Sequence, residues 1–284
     1  MKMRKIFILF NLLAVTLFFA GCAEKKDASS SDSKQQESSK KEDGSSKESS
    51  DDNAKIGSLI TSGEVKDQLE KPQKGEEIAV FNVKDYGVIK ARLFPQVAPN
   101  AVKNFKKLAK EGKYDGVSFH RVIENFMIQG GQECDEKLGI KTGTQVELNP
   151  SVHHFDGALC MARAQSKTDG QGSQFYFVSS QAGKSANFDD IQTKANANFK
   201  FEGLNMELKF DEATRKTYKK VGGYPELDMA YTVFGQAFEG QDVIKKIAAC
   251  PKEESLNSGN PMGGEQNSKP KEPIIVEKVT IEKA

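Results

Sequence analysis

Residues 118–131, Ser-Phe-His-Arg-Val-Ile-Glu-Asn-Phe-Met-Ile-Gln-Gly-Gly, set one arginine and one glutamine among apolar neighbours. A turn at Glu124-Asn125 between two β-forming runs would fold Arg121 back beside Gln129. Period-two alternation then puts Met127 and Gln129 on one face. With Phe126 and Met127 alongside, the result is an apolar pocket with a fixed cation at its rim. Such a site can hold a greasy group and aim hydrogen bonds at an electron-rich atom beside it. The plainer reading of the same spacing is a patch of core with Arg121 in a surface ion pair, and spacing alone favours it. His120 is a base by type, but reads here as a structural neighbour of Arg121.

The rest of the chain offers little competing chemistry. Four cysteines in 284 residues are too few for a disulfide scaffold, and no Cys-x-x-Cys pair or zinc spacing occurs. Cys134, Cys160 and Cys250 could hold one bridge with one thiol left over, or stay reduced, which is the favoured reading. Of three histidines, His153 and His154 are neighbours that would point opposite ways in an extended chain, so no polyhistidine metal site is expected. Asp169-Gly170-Gln171-Gly172 reads as a tight turn rather than a phosphate loop. The chain has 41 Lys plus Arg against 40 Asp plus Glu. Without Lys2, Arg4 and Lys5 of the first 22 residues, 38 positives face 40 negatives. That near-balance gives no electrostatic reason to bind nucleic acid.

The elements that must position the arginine begin near Glu76. Residues 78–83 and 88–93, joined by Lys84-Asp85-Tyr86-Gly87, read as a hairpin. Pro99-Asn100 opens a helix with Val102, Phe105, Leu108 and Ala109 on one stripe, stopped by Gly112. Short strands are expected at 118–123, 127–129, 157–161, 175–178 and 231–234, and a last one at 274–281. A second helix over 241–249 carries Val243, Ile244, Ile247 and Ala248 on one side. About eight strands, two helices and no strand–helix–strand alternation argue a mainly β fold, a closed antiparallel barrel capped by helices. Residues 183–224 interrupt the pattern. They hold Asn187-Phe188-Asp189-Asp190 and an amphipathic stretch at 211–221 stopped by Gly222-Gly223. They read either as a surface elaboration packed on the barrel or as an arm for substrate or partner.

The N-terminus reads as an address. A basic start precedes an apolar run at 6–20, too short to span a membrane comfortably, and Phe19-Ala20-Gly21-Cys22 follows. This resembles a bacterial lipobox, in which the cysteine is lipidated and becomes the new N-terminus, although Phe19 departs from the aliphatic residue commonest there. An ordinary cleaved signal and an uncleaved anchor are the alternatives. Residues 24–55 contain no Val, Ile, Leu or aromatic residue and cannot bury enough apolar area to order themselves. The expected organisation is a lipoprotein signal peptide at 1–21, a disordered tether at 22–55 and a loose approach segment at 56–75 with a short helix near 65–69. The folded domain then covers 76–284, with its insertion at about 183–224.

The 118–131 stretch resembles the signature of the cyclophilin family of peptidyl-prolyl isomerases, in which Phe-His-Arg and two hydrophobic residues precede Phe-Met-x-Gln-Gly-Gly. Gly157-Ala158-Leu159-Cys160-Met161-Ala162-Arg163 with Gly172-Ser173-Gln174-Phe175-Tyr176-Phe177 is a second match. Leu227-Asp228 followed by Tyr231-Thr232-Val233-Phe234-Gly235 is a third, in family order. The resemblance covers about residues 76–284 and implies a cyclophilin-like barrel. It implies Arg121 as catalytic arginine with Gln129 orienting it, and Phe126, Met127, Tyr176 and Leu227 as a proline pocket closed by Tyr231, where many members have His. Ala162, Arg163 and Gln174 would receive the residues before proline. Arg163 stands where Asn is common, which would favour an acidic residue upstream of proline. Glu226 falls where some members have Trp, a departure that bears on cyclosporin-type inhibitors rather than on catalysis. No cofactor or metal is implied.

Two function classes follow. One is a monomeric, lipid-anchored isomerase on the outer face of the cell membrane, acting on proline-containing unfolded or secreted chains. The other is a binding module or holdase using the same pocket, which retention of both Arg121 and Gln129 disfavours.

Overall fold

The computed structural model describes residues 60–132, 145–163, 172–183, 186–201, 206–253 and 268–284. Cys22 with the 1–21 leader and the 22–55 tether, Cys134, and 169–171 of the expected turn lie outside them. Nine strands make one antiparallel sheet: β1 (Glu77–Val83), β2 (Gly87–Leu93), β3 (Val117–Ser118), β4 (Arg121–Ile123), β5 (Met127–Gly130), β6 (Ala158–Met161), β7 (Phe175–Val178), β8 (Val233–Glu239) and β9 (Ile275–Lys283). Their spatial order is β3-β9-β1-β2-β8-β6-β7-β5-β4. This corrects the closed eight-stranded barrel. The expected strand at 118–123 is interrupted at Phe119-His120: Phe119 is buried and still gives its N–H to Ile274 O on the β9 side, and the chain then passes to β5 as partner from Arg121 on. β3 therefore pairs with β9 and β4 with β5, and the curled sheet is a half-barrel whose two edges are joined by chain, not by a ladder.

Phe81, Phe105, Tyr114, Phe119, Phe175, Phe177 and Phe234 fill the concave side with offset and edge-on contacts, such as Phe81 to Phe177 at 5.1 Å between ring centres. Four α-helices, not two, are seen among the described residues: α1 (Pro99–Lys110), α2 (Phe188–Phe201), α3 (Glu212–Val221) and α4 (Gln241–Ala248). α1 has no cap from its own Ala98; instead the buried Glu147 carboxylate accepts from the Asn100 and Ala101 amides at 2.9–3.1 Å, filling the orphan donors of the first turn.

The segment 60–75 holds no helix. It is nevertheless tied down. Thr61 Oγ1 donates to Val97 O (2.7 Å), the Val65 amide to Ser151 Oγ (3.0 Å), and Gln68 Nε2 to Gln236 Oε1 (2.9 Å) and His153 O (2.7 Å). Val65 and Gln68 are both buried. The loose approach is in fact a strap, held by polar pairs that hydrophobic periodicity does not register.

The insertion supplies α2 and α3. Asp211 caps α3 by accepting from the Thr214 amide at 2.7 Å, and Gly222 ends it at φ +86°. Phe199, Leu208, Phe210 and Tyr218 are buried together with Val146, Leu148, Phe155 and Met229 as a second small core. At roughly 1.5–3 kcal/mol per buried large apolar side chain, that burial is ample to fix the insertion against residues 146–155.

Candidate functional site

The β4–β5 hairpin delivers the two polar groups expected of it. Antiparallel register sets Arg121 opposite Gln129 and Ile123 opposite Met127, with Asn125 at φ +57° in the turn, a conformation asparagine tolerates better than most residues. Arg121 Nη1 lies 3.4 Å from Gln129 Oε1 and 3.9 Å from Met127 Sδ. Gln129 Nε2 donates to Gln174 Oε1 at 2.9 Å. A guanidinium only donates, so the Gln129 amide must turn its oxygen to Arg121 and its nitrogen to Gln174. The three side chains form one oriented row. Its backing is tight. Gly131 sits at φ +89°, and a Cβ there would lie 2.8 Å from Ser173 O, the residue before Gln174.

Beside this row lies one apolar cluster. Met127 and Tyr176 are buried in it with Val152, Cys160 and Val178, and Phe126, Ala162, Leu227 and Tyr231 are half-buried against them. All the residues expected to form the proline pocket are thus brought together. Arg163 stacks its guanidinium 4.8 Å above the Tyr231 ring and donates from Nε to Ala230 O at 3.2 Å. Glu226 is exposed on the 3-10 turn Pro225–Leu227. Tyr224, which sequence reasoning passed over, packs edge-on against Phe126 at 4.9 Å between ring centres. Its one signal was adjacency to the Pro225-Glu226-Leu227 flank.

Behind the cluster is a buried polar set that was not foreseen. Both imidazoles meet the same carboxylate: His153 Nδ1 lies 2.7 Å from Asp228 Oδ2, and His154 Nδ1 lies 2.8 Å from Oδ1. Residues 152–154 lie in no strand, so the condition under which the two would face opposite ways is not met. The His154 amide (2.8 Å) and the Tyr218 hydroxyl (2.9 Å) also donate to Asp228. Burial pushes the Asp228 carboxyl up, but the imidazoles and their hydrogen bonds outweigh it and bring it down to about 2. Burial pushes the Tyr176 hydroxyl and the Cys160 thiol well above their ordinary ranges, so Cys160 is a packed thiol, not a nucleophile. Cys160 and Cys250 form no disulfide. Among the described residues, no group of three or more His, Cys, Asp or Glu could hold a metal ion.

Comparison with known proteins places this geometry. The family model "Cyclophilin type peptidyl-prolyl cis-trans isomerase/CLD" matches residues 78–281. A protein of Staphylococcus haemolyticus named "Putative peptidyl-prolyl cis-trans isomerase" is 33% identical over 219 residues, 76% of this chain and 96% of its own length. A likewise-named protein of Staphylococcus saprophyticus is 34% identical over 185 residues, 64% of this chain and 86% of that protein. Among solved structures, a Cryptosporidium parvum cyclophilin-type isomerase crystallised in the presence of the dipeptide Ala-Pro aligns with TM-score 0.50 and 22% identity, over 73% of this chain and 99% of that one. At that identity the likeness speaks for the fold.

Proposed function

The chain belongs to the cyclophilin family of peptidyl-prolyl cis-trans isomerases, and from that premise we propose which of its residues carry the reaction and where it is carried out. The amide barrier of about 18–20 kcal/mol comes from nitrogen–carbonyl resonance. At the twisted geometry that resonance is gone and the proline nitrogen becomes a hydrogen-bond acceptor. Arg121 donates to it there, and so favours the twisted state over either planar one. Gln129, itself oriented by Gln174, holds the guanidinium in place. Phe126, Met127, Tyr176, Leu227 and Tyr231 grip the proline ring while the preceding residues turn across Ala162 and Arg163. No nucleophile or proton transfer is needed. The observation that carries this reading is the Arg121–Gln129–Gln174 row bordering one apolar cluster. A proline-containing peptide fits it, and the Cryptosporidium relative was crystallised with Ala-Pro.

The lipid-anchored setting rests on the sequence: the basic start, the apolar run and the cysteine at 22, followed by the polar stretch to 55. Uncatalysed X–Pro isomerisation takes tens to hundreds of seconds, so an anchored isomerase would shorten a slow step for chains emerging from the membrane. The test is a protease-coupled assay on an Ala-Pro tetrapeptide with detergent-solubilised full-length protein. Arg121→Ala should lower kcat/KM at least tenfold, about 1.4 kcal/mol of barrier. Unchanged turnover in a folded variant would remove Arg121 from the mechanism.

A further inference from the structure

Tyr176 brings a hydroxyl to the buried side of the proline pocket, and that hydroxyl has a built acceptor. His154 Nε2 lies 3.1 Å from Tyr176 Oη, with the two rings inclined by only 16°. His154 is fully buried, and Asp228 is buried beneath it. An ionised carboxylate only accepts, so Nδ1 of His154 must carry a proton toward Asp228. In the neutral imidazole this leaves the Nε2 lone pair facing Tyr176. Asp228 thereby selects the tautomer, and the tautomer gives the Tyr176 hydroxyl an acceptor at Nε2 beside its other partner, the Cys160 sulfur. The Tyr176 ring, pinned at that end, packs edge-on against Tyr231, its neighbour in the pocket wall, at 6.1 Å between ring centres.

The fourth donor to Asp228 comes from the insertion. Tyr218 belongs to α3 of the insertion, and its hydroxyl lies 2.9 Å from both carboxylate oxygens. It is buried, and its ring packs against Phe155 at 4.6 Å between ring centres. The path Tyr218–Asp228–His154–Tyr176 thus runs from the insertion to the proline pocket through groups that are all buried.

We infer that Asp228 and His154 are positioning residues for the proline pocket, and that Tyr218 makes the 183–224 insertion part of the same device. The inference deepens the isomerase reading and rests on it. A pocket wall already fixed in place loses no freedom when proline enters. Its loosening therefore weakens substrate binding more than it changes the rotation step, which belongs to Arg121.

The experiment measures kcat and KM separately, by NMR exchange over a range of Ala-Pro tetrapeptide concentrations, for the full-length protein. Asp228→Asn should raise KM about fivefold with kcat within twofold. Tyr218→Phe, which keeps its ring in the small core, should raise KM about twofold with unchanged circular dichroism. Neither change should raise KM further in a Tyr176→Phe background, because the hydroxyl they act through is gone. Long-range proton–nitrogen spectra should show His154 protonated at Nδ1 in the wild type and in Tyr218→Phe, and a lost or altered pattern in Asp228→Asn. A purely structural role would lower the melting temperature and leave KM of the folded protein as it was. That result, or equal KM increases with and without the Tyr176 hydroxyl, overturns the inference. If Asp228→Asn does not fold, Tyr218→Phe in the two backgrounds decides alone. Wild-type protein without turnover would instead overturn the isomerase reading, while the His154 spectrum would still report the tautomer.

Discussion

Acid should weaken the fold through the Asp228 cluster. The Asp228 carboxyl is lowered from 3.8 to about 2 on folding. A depressed acid contributes stability above its unfolded value and loses it as pH falls through its folded one. The difference of 3.8 and about 2 is worth roughly 2 kcal/mol at neutral pH, at about 1.36 kcal/mol per unit. Nearly all of that is present above about pH 5, roughly half is left at pH 3, and little at pH 2. Asp228→Asn removes the titrating group and leaves the rest of the molecule's acid response in place. Urea unfolding of both proteins, at several values between pH 6 and pH 2, gives the gap between them. The gap should narrow by about 2 kcal/mol across that range, most steeply near pH 3. A gap constant with pH would mean that the carboxylate is not held ionised by His153 and His154, and the reasoning about their shared acceptor would fall with it.

Other outcomes follow from the same geometry. Arg163 is fixed over Tyr231, so glutamate before proline should be turned over about threefold faster than lysine at low salt, and Arg163→Gln should abolish that preference. Gly131→Ala should cost about 1–3 kcal/mol, because its Cβ would meet Ser173 O at 2.8 Å in a left-handed conformation; a melting temperature matching wild type would contradict the close approach. Cys22→Ser should abolish fatty-acid labelling and release the protein from membranes, whereas continued labelling and sedimentation with membrane would end the lipoprotein reading.

The parts of the site legible in the sequence were those whose partners are near in the chain. Arg121 and Gln129 lie eight residues apart across one turn, so alternation alone puts them face to face. The amphipathic stretch at 211–221, stopped by Gly222, was visible too, although only the structure makes it the helix α3, capped by Asp211. What escaped were pairs joined only in three dimensions. Gln68 meets Gln236 across 168 residues, and His154 meets Asp228 across 74, contacts that no local period encodes. The histidines also show why an assumed backbone misleads: a strand rule was applied to residues that form no strand. The break of 118–123 into β3 and β4 depended in the same way on Ile274, a distant acceptor.

The arrangement of β9 bears on how this molecule reaches its native state at all. β1 finds β2 within a few residues, but its other flank is paired with β9, as in Phe81 opposite Val279, and among the described residues β3 has β9 as its sole ladder partner. During synthesis, then, the first strand made must wait for the last. Until residues 275–283 emerge, two strands keep raw backbone edges, and the loop to be closed is nearly the whole domain, the kind of non-local pairing that slows folding. A nascent chain stalled short of Ile275 would hold the Arg121–Gln129 hairpin already made yet lack the strand that ties β3 to β1.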